Sequence, residues 1–81
     1  MSYELIWHPA AAKYLESLPN QIASRVLKKV DEVSVHPFRY LEHFEGDGYK
    51  LRIGEYRALI DVDLQNEILK VRVFDKRGRI Y

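Results

Sequence analysis

The apolar positions in the first part of the chain change from a strand pattern to a helical one. Tyr3–Trp7 is a short apolar and aromatic run, typical of a strand, and it stops at His8-Pro9. Pro9 favours the first turn of a helix, and the residues that follow it up to Leu18 are rich in helix formers. The pattern therefore predicts a strand followed directly by a helix.

A second helix is predicted after Pro19, which ends the first one. Asn20 is a suitable N-cap for it. The apolar residues beyond this cap recur at helical intervals, namely Ile22, Val26, Val30 and Val33. The helix is expected to end before His36-Pro37. Because the link between the two helices is very short, they are expected to form an antiparallel helical hairpin.

The apolar pattern changes to a period of two in the last part of the chain. Before this change, Phe38–Gly48 is predicted to be an irregular loop. Three antiparallel strands follow, with tight turns at Gly54-Glu55 and near Gln65-Asn66; the strands are Tyr49–Ile53, Tyr56–Val62 and Ile68–Phe74. The order predicts an α+β fold, β-α-α-β-β-β, with a two-helix hairpin packed on one face of an antiparallel sheet. No linker or repeat divides the chain, so residues 1–81 are expected to form a single domain.

Strand alternation assigns the side chains of these strands to two faces. The residues expected to face the helices are Tyr49, Leu51, Ile53, Tyr56, Ala58, Ile60, Leu69, Val71 and Val73. The opposite face then receives five bases and one acid, namely Lys50, Arg52, Arg57, Lys70, Arg72 and Asp61, together with Leu59. A two-residue turn at Gly54-Glu55 places Arg52 directly opposite Arg57. Like charges in that position destabilise a sheet, so folding alone does not favour this pairing.

Composition limits the kind of site that the chain can build. It has 81 residues, a net charge of +1 and 47% hydrophobic residues, which fits one small core without a deep enclosed pocket. A site is therefore expected on an open surface or groove. The chain has no cysteine and no apolar run of membrane-spanning length, which favours a cytoplasmic protein that has no membrane partner.

The outward cations have two interpretations. Charged residues are ordinary on the solvated face of an antiparallel sheet. Their uniform sign also suits phosphate binding, for which Arg supplies bidentate donors. The segment from Asp75 to Tyr81 adds three bases and a terminal aromatic ring, a combination that suits single-stranded nucleic acid. The alternative for this segment is a basic terminus that happens to end in tyrosine.

Two segments resemble a known family. The residues Tyr49-Lys50-Leu51-Arg52-Ile53-Gly54-Glu55-Tyr56-Arg57 resemble the Y-(R/K)-x-R-x-G-(D/E)-Y-R core of the RelE/ParE toxin superfamily. The ending Lys76-Arg77-Gly78-Arg79-Ile80-Tyr81 is similar to its closing R-x-x-x-Y segment, particularly that of archaeal RelE proteins. The opening strand and the L-x-x-L helix at Leu15–Leu18 follow in the expected order. The resemblance covers essentially the whole chain and implies a RelE-like fold.

The resemblance implies the toxin of a type II toxin–antitoxin pair. RelE-like members enter the ribosomal A site and cut mRNA by attack of the ribose 2′-OH on the adjacent phosphate, without a metal. The implied function is therefore a ribosome-dependent mRNA endoribonuclease that needs no cofactor. Its implied partners are a cognate RelB-like antitoxin, the ribosome and mRNA. The alternatives are a ParE-like toxin that acts on gyrase by binding alone, or a family member that has lost catalysis.

The family motifs also imply the site residues. The matching catalytic positions are Lys50, Arg52, Arg57, Arg77 and Tyr81. The other bases of the outward face and the tail are expected to bind RNA, namely Lys70, Arg72, Lys76 and Arg79. Arg57 and Arg77 suit neutralisation of the phosphate, because a guanidinium stays protonated. Lys50 can accept a proton only if neighbouring cations favour its neutral form, and Tyr81 can stack on a base or share in proton transfer.

The chain departs from the family pattern at two places. Arg52 stands where the best-known bacterial RelE has a second Lys. Relatives with a conventional acid–base pair have a Glu before the motif and a His near the end. This chain has Glu45 before the motif, but Lys76 stands where a His often stands. Glu45 is expected to be a loop residue, and His43 is expected to lie in a loop or at the rim of the site. Because the histidines lie in unrelated segments, no metal site is predicted.

Overall fold

A strand, three helices and four further strands follow one another in the computed structural model, which describes residues 2–76. In chain order they are β1 (Glu4–Trp7), α1 (Pro9–Glu16), α2 (Asn20–Val35), α3 (Pro37–Tyr40), β2 (Glu42–Glu45), β3 (Gly48–Ile53), β4 (Tyr56–Asp63) and β5 (Ile68–Lys76). This order confirms the predicted α+β class. Within residues 2–76, no helix has both the length and the hydropathy needed to span a membrane.

Both long helices begin beside a proline. His8 caps α1, because its Nδ1 atom accepts a hydrogen bond from the backbone N–H of Ala10 at 3.1 Å. The prediction that Asn20 caps α2 is wrong, because Asn20 is already helical and Pro19 is the N-cap. Pro19 has φ −54° and ψ 146°, and its carbonyl oxygen accepts the first hydrogen bonds of the helix. The fixed φ of proline allows this extended cap without any side-chain hydrogen bond.

The five strands form one sheet in the order β1-β5-β4-β3-β2. The pairs β3–β4 and β4–β5 are antiparallel, as predicted, and β2, which was not predicted, pairs with β3 in the same way. β1 differs, because it pairs with β5 in parallel. A parallel pair needs a long connection, and here the helices and the remaining strands supply it. The first and last described strands therefore lie side by side.

The prediction of an irregular loop at Phe38–Gly48 is wrong, since this segment contains most of α3 and all of β2. Leu41, between the two elements, is 9% exposed and anchors the segment in the core. β2 then pairs with β3, with Glu42 opposite Lys50. All four residues of β2 are exposed, so no buried side chain marks the strand in the sequence. Its position is set by the free edge of β3.

The core lies between the helices and one face of the sheet. Seven of the residues predicted to face the helices are buried, namely Leu51, Ile53, Tyr56, Ala58, Ile60, Leu69 and Val71. Tyr49 is half-buried and packs against them. From the helices, Ala11, Leu15, Val26, Val30 and Val33 complete the cluster. The predicted face is therefore confirmed for these positions.

β5 carries a β-bulge at Arg72. Ile60 pairs with Val71 and Leu59 pairs with Val73, so Arg72 is one residue more than the facing strand accommodates. A bulge of this kind shifts the alternation of all later residues by one position. The prediction that Val73 faces the helices is therefore wrong, because Val73 is 37% exposed on the opposite side.

Phe74 takes the buried place instead and is 3% exposed. Its ring lies 5.6 Å from that of Tyr56, 5.7 Å from that of Tyr14 and 5.9 Å from that of Trp7, measured between centroids. Aromatic pairs at such distances add stability beyond the area that they bury. This aromatic cluster explains why the register changes within β5.

We predict that Phe74→Ala lowers the free energy of unfolding by about 3–5 kcal/mol, because it leaves a cavity in the aromatic cluster. Val73→Ala, one residue away and exposed, should lower it by less than about 1 kcal/mol. Urea denaturation followed by circular dichroism measures both changes. Strict alternation without the bulge demands the reverse ranking, so a larger loss for Val73→Ala would contradict the observed register.

Candidate functional site

The sheet has one face covered by the helices and an opposite side, which we call the outer face. Across β2–β5, the charged residues on this face are Glu42, Glu45, Lys50, Arg52, Arg57, Asp61, Asp63, Lys70, Arg72 and Asp75. Phe44, Leu59 and Val73 lie among them. The five predicted bases all lie on this face, but the prediction of a single acid is wrong, because several acids lie there too. The bulge turns Asp75 outward, and β2 and the end of β4 contribute the others.

Arg52 and Arg57 face each other on the β3–β4 hairpin, as predicted. The turn between them has Gly54 at φ 57°, a conformation that favours glycine, and it pairs Ile53 with Tyr56. Arg52 is exposed, whereas Arg57 is half-buried with its Nε atom buried. On its other side, Arg57 lies opposite Asp75 of β5. A carboxylate in this position offsets part of the repulsion between the two guanidinium groups.

Lys50 lies two residues before Arg52 on the same strand and the same face. Its Nζ atom is 3.8 Å from Oε1 of Glu42 and 5.5 Å from the ring centroid of Phe44, both on β2. Carboxylates and aromatic faces both stabilise a positive charge. Both contacts hold the Lys50 side chain on the outer face. The pairing of β3 with β4 brings Lys50, Arg52 and Arg57 together on neighbouring strands.

Lys70 and Arg72 lie at the other end of the outer face. The Nε atom of Arg72 is 2.9 Å from Oδ2 of Asp61, and Lys70 is paired with Asp61 in the β4–β5 register. They line an open groove of about 590 Å³ together with Glu45, Asp47, Gly48, Val62, Asp63 and Leu64. The hydrogen bond from the side-chain amide of Asn66 lowers the pKa of Asp63, so this carboxylate stays charged. The groove is therefore mixed in charge.

Gly48 is required at the bottom of this groove. A Cβ atom on Gly48 would lie 3.0 Å from the backbone oxygen of Glu45, 3.8 Å from Oδ1 of Asp61 and 3.9 Å from Nη2 of Arg72. The contact with the backbone oxygen is tighter than most Cβ contacts, so a side chain at this position would require the backbone of β2 to move by a few tenths of an ångström. Glycine thus allows β2 and the Asp61–Arg72 ion pair to approach the same point of β3.

The remaining predicted site residues belong to the end of the chain. Lys76 pairs with Tyr56, whose side chain is buried, so the register assigns Lys76 to the helix side of the sheet. It lies at the end of β5, away from Lys70 and Arg72. Arg77, Arg79 and Tyr81 lie outside the described residues.

His43 and Glu45 lie on β2, so the prediction of a loop there is wrong. The Nε2 atom of His43 is 3.0 Å from the carbonyl oxygen of Gly46, and its ring packs against Tyr49. Glu45 lines the mixed groove. Across residues 2–76, potential metal ligands form no group of three or more.

Sequence reasoning missed Glu42 and Phe44, the two side chains that contact Lys50. The only signal for them is the short stretch Glu-His-Phe-Glu ahead of a turn. Phe44 is 46% exposed, so no alternation of buried and exposed residues marks β2 as a strand. The pairing of β2 with β3 alone brings them to the site.

Several solved structures have the same fold. A chain of the RelBE2 toxin–antitoxin complex from Mycobacterium tuberculosis is similar with a TM-score of 0.84 at 22% identity, over 95% of this chain and 100% of that one. For the archaeal RelE–RelB complex from Pyrococcus horikoshii, the TM-score is 0.81 at 28% identity, over 98% and 99%. For the intact Escherichia coli RelBE complex, it is 0.80 at 23% identity, over 96% and 100%.

The sequence itself matches one family model over residues 5–81, which is described as the ParE toxin of the type II toxin–antitoxin system parDE. None of the curated protein sequences compared with the chain matches it significantly. The family match extends over nearly the whole chain and includes every strand and helix described above, apart from Glu4 at the start of β1. The chain therefore belongs to the ParE toxin family and is the toxin of a type II toxin–antitoxin system within the RelE/ParE superfamily.

Proposed function

We propose that this toxin is a ribosome-dependent mRNA endoribonuclease. The observation that carries the proposal is the grouping of Lys50, Arg52 and Arg57 on one open face, with the two arginines directly opposed. A pairing that costs stability is explained if the two cations bind a common phosphate. The likeness to the archaeal RelE–RelB structure, at 28% identity, supports a RelE-type activity.

The proposed reaction is an in-line displacement at phosphorus. The ribose 2′-oxygen forms a bond to the adjacent phosphorus, and the bond from phosphorus to the 5′-oxygen breaks. The products are a 2′,3′-cyclic phosphate and a free 5′-hydroxyl. As in RelE-type cleavage, the step needs no metal, so the added negative charge falls to the protein. Arg52 and Arg57 are placed to stabilise it, and Arg77 is the third proposed cation.

Proton transfer falls to Lys50 and Tyr81 in this proposal. Of the five proposed catalytic residues, only these two have side chains that release a proton, because a guanidinium remains protonated. Lys50 lies on the outer face beside Glu42 and Phe44. As the 2′-oxygen bonds to phosphorus, the proton of the 2′-hydroxyl is released to solvent, and Lys50 is placed to donate a proton to the leaving 5′-oxygen or to stabilise the phosphate.

A RelB-like antitoxin is the proposed partner that restrains this activity. The similar chains from M. tuberculosis, P. horikoshii and E. coli all come from complexes of RelB with RelE. The toxin leaves large apolar side chains exposed on α2, including Leu27 and Val35. Such residues suit the contact with an amphipathic segment. The ribosome and mRNA are the proposed targets.

A second candidate is a ParE-like toxin that binds gyrase and does no chemistry. The family model favours it, because the model that matches is that of the ParE toxin. The two candidates differ in what the outer face must do. An endoribonuclease needs the three cations around one phosphate, whereas a gyrase-binding toxin needs only a complementary surface.

We expect the wild-type toxin to cleave mRNA on translating ribosomes, and Arg57→Gln to reduce the cleavage rate by about 100-fold or more. The reason is the loss of a positive charge at the phosphate. Primer extension on ribosome-bound mRNA measures the rate. Arg25→Gln, which removes an exposed arginine from α2, is the matched control and should cleave like the wild type.

Thermal unfolding of Arg57→Gln verifies that it remains folded. The endoribonuclease proposal is contradicted if the wild type arrests growth and inhibits supercoiling by gyrase while the mRNA stays intact. That result favours the ParE-like candidate.

Arg52→Gln should raise stability while it lowers activity. Removing one of two directly opposed cations should raise the free energy of unfolding by roughly 0.2–1 kcal/mol at low salt, and less at high salt. The same change should slow mRNA cleavage. Urea denaturation at two salt concentrations, combined with the ribosome assay, measures both effects. If Arg52→Gln is less stable than the wild type, Arg52 supports the fold and the functional interpretation of the pair fails.

A further inference from the structure

Phe44 is an exposed aromatic ring on the outer face. It lies on β2, the edge strand of the sheet, and 46% of it is exposed. Both of its neighbours in the chain, His43 and Glu45, are also exposed. The core cluster does not include Phe44, so packing does not account for an apolar ring at this position.

The ring lies next to the proposed catalytic cations. Lys50 extends over it, with Nζ 5.5 Å from the ring centroid. Arg52 follows on the same face of β3, about 7 Å further along the strand. Arg57 lies opposite Arg52 on β4. The outer face thus carries a ring, an ammonium group and two guanidinium groups in a row across adjacent strands.

We propose that Phe44 and Lys50 form a stacking platform for one nucleobase of single-stranded RNA, beside the phosphate held by Arg52 and Arg57. The platform rests on the proposed RNA substrate. Proteins that bind single strands combine aromatic rings, which stack on bases, with cations that follow the backbone. A lysine over one side of the ring leaves the other side for a base, and the same ammonium group can contact the backbone phosphate.

The surroundings of the ring favour RNA over a protein partner at this point. An amphipathic helix or strand binds through several apolar anchors at regular spacing. Here one ring is flanked by Glu42, Lys50 and Glu45, all of them charged. The other apolar side chains of the outer face in β2–β5 include Leu59 and Val73, which lie beyond Lys50 on β4 and β5. A ring that Lys50 separates from them offers a base the area that it needs, but it gives a helix no continuous row of anchors.

The platform is tested with a short single-stranded RNA that carries 2-aminopurine, whose fluorescence is quenched when it stacks on an aromatic ring. With the full-length wild-type toxin, we expect quenching on binding. Phe44→Ala should abolish the quenching and weaken binding about five-fold or more. Phe44→Trp should retain both, because it keeps an aromatic ring.

Phe38→Ala is the matched control, because it removes a ring of similar exposure, 50%, from α3 rather than from the outer face. With Phe38→Ala, the fluorescence of 2-aminopurine should be quenched as it is with the wild type. Equal quenching by Phe44→Ala and the wild type, or no quenching by the wild type, overturns the platform. A Phe44→Ala variant that quenches normally but loses affinity for the antitoxin also overturns it and assigns the ring to a protein contact.

The ribosome assay separates this proposal from the proposed function. If the wild type and Phe44→Ala cleave mRNA equally and quench equally, the platform fails and the endoribonuclease stands. If the wild type does not cleave while its quenching depends on the ring at position 44, the endoribonuclease fails and the platform stands as a single-strand binding site.

Discussion

The fold depends on the burial of one face of the sheet. Val26, Val30 and Val33 of α2 are at most 2% exposed, and they share a core cluster with residues such as Ile60 and Leu69 from the central strands. A chain of this size has too few residues to cover both faces of a five-stranded sheet. The uncovered face is therefore free to carry charges, and strand alternation assigns each residue to one face or the other. The candidate site is a consequence of this division.

The β3–β4 hairpin was fully predictable because its register is determined locally. A two-residue turn at Gly54 fixes the pairing, and alternation then places Arg52 opposite Arg57. The bulge in β5 was not predictable in this way. Val71, Val73 and Phe74 are all apolar, so the sequence alone allows either register. Only the fit of the Phe74 ring against the other aromatic rings of the core selects the one observed.

The bases of the candidate site were predictable, whereas most of its acids and its ring were not. Lys50, Arg52 and Arg57 lie on strands with a clear period of two. Asp75 faces outward only because of the bulge, and Glu42 and Phe44 reach the site only because β2 pairs with the free edge of β3. The bulge places Phe74 against rings from distant parts of the chain, which local pattern does not encode. β2 lies directly before β3 in the chain, but all four of its residues are exposed, so no apolar alternation marks it as a strand. The family resemblance did not supply them either, because the motif begins at Tyr49.

The pairing of acids with bases on the outer face changes which nucleic acids this face can bind. Lys50 contacts Glu42, Arg72 contacts Asp61, and Asp75 lies opposite Arg57. Carboxylates at these places repel phosphates that are not aligned with the cations, so they weaken non-specific binding to nucleic acid and hold the basic side chains in defined positions. A uniformly basic face would bind any RNA in the cell. A mixed face favours a substrate that is presented in one orientation, and this preference agrees with the proposed action on mRNA held by the ribosome.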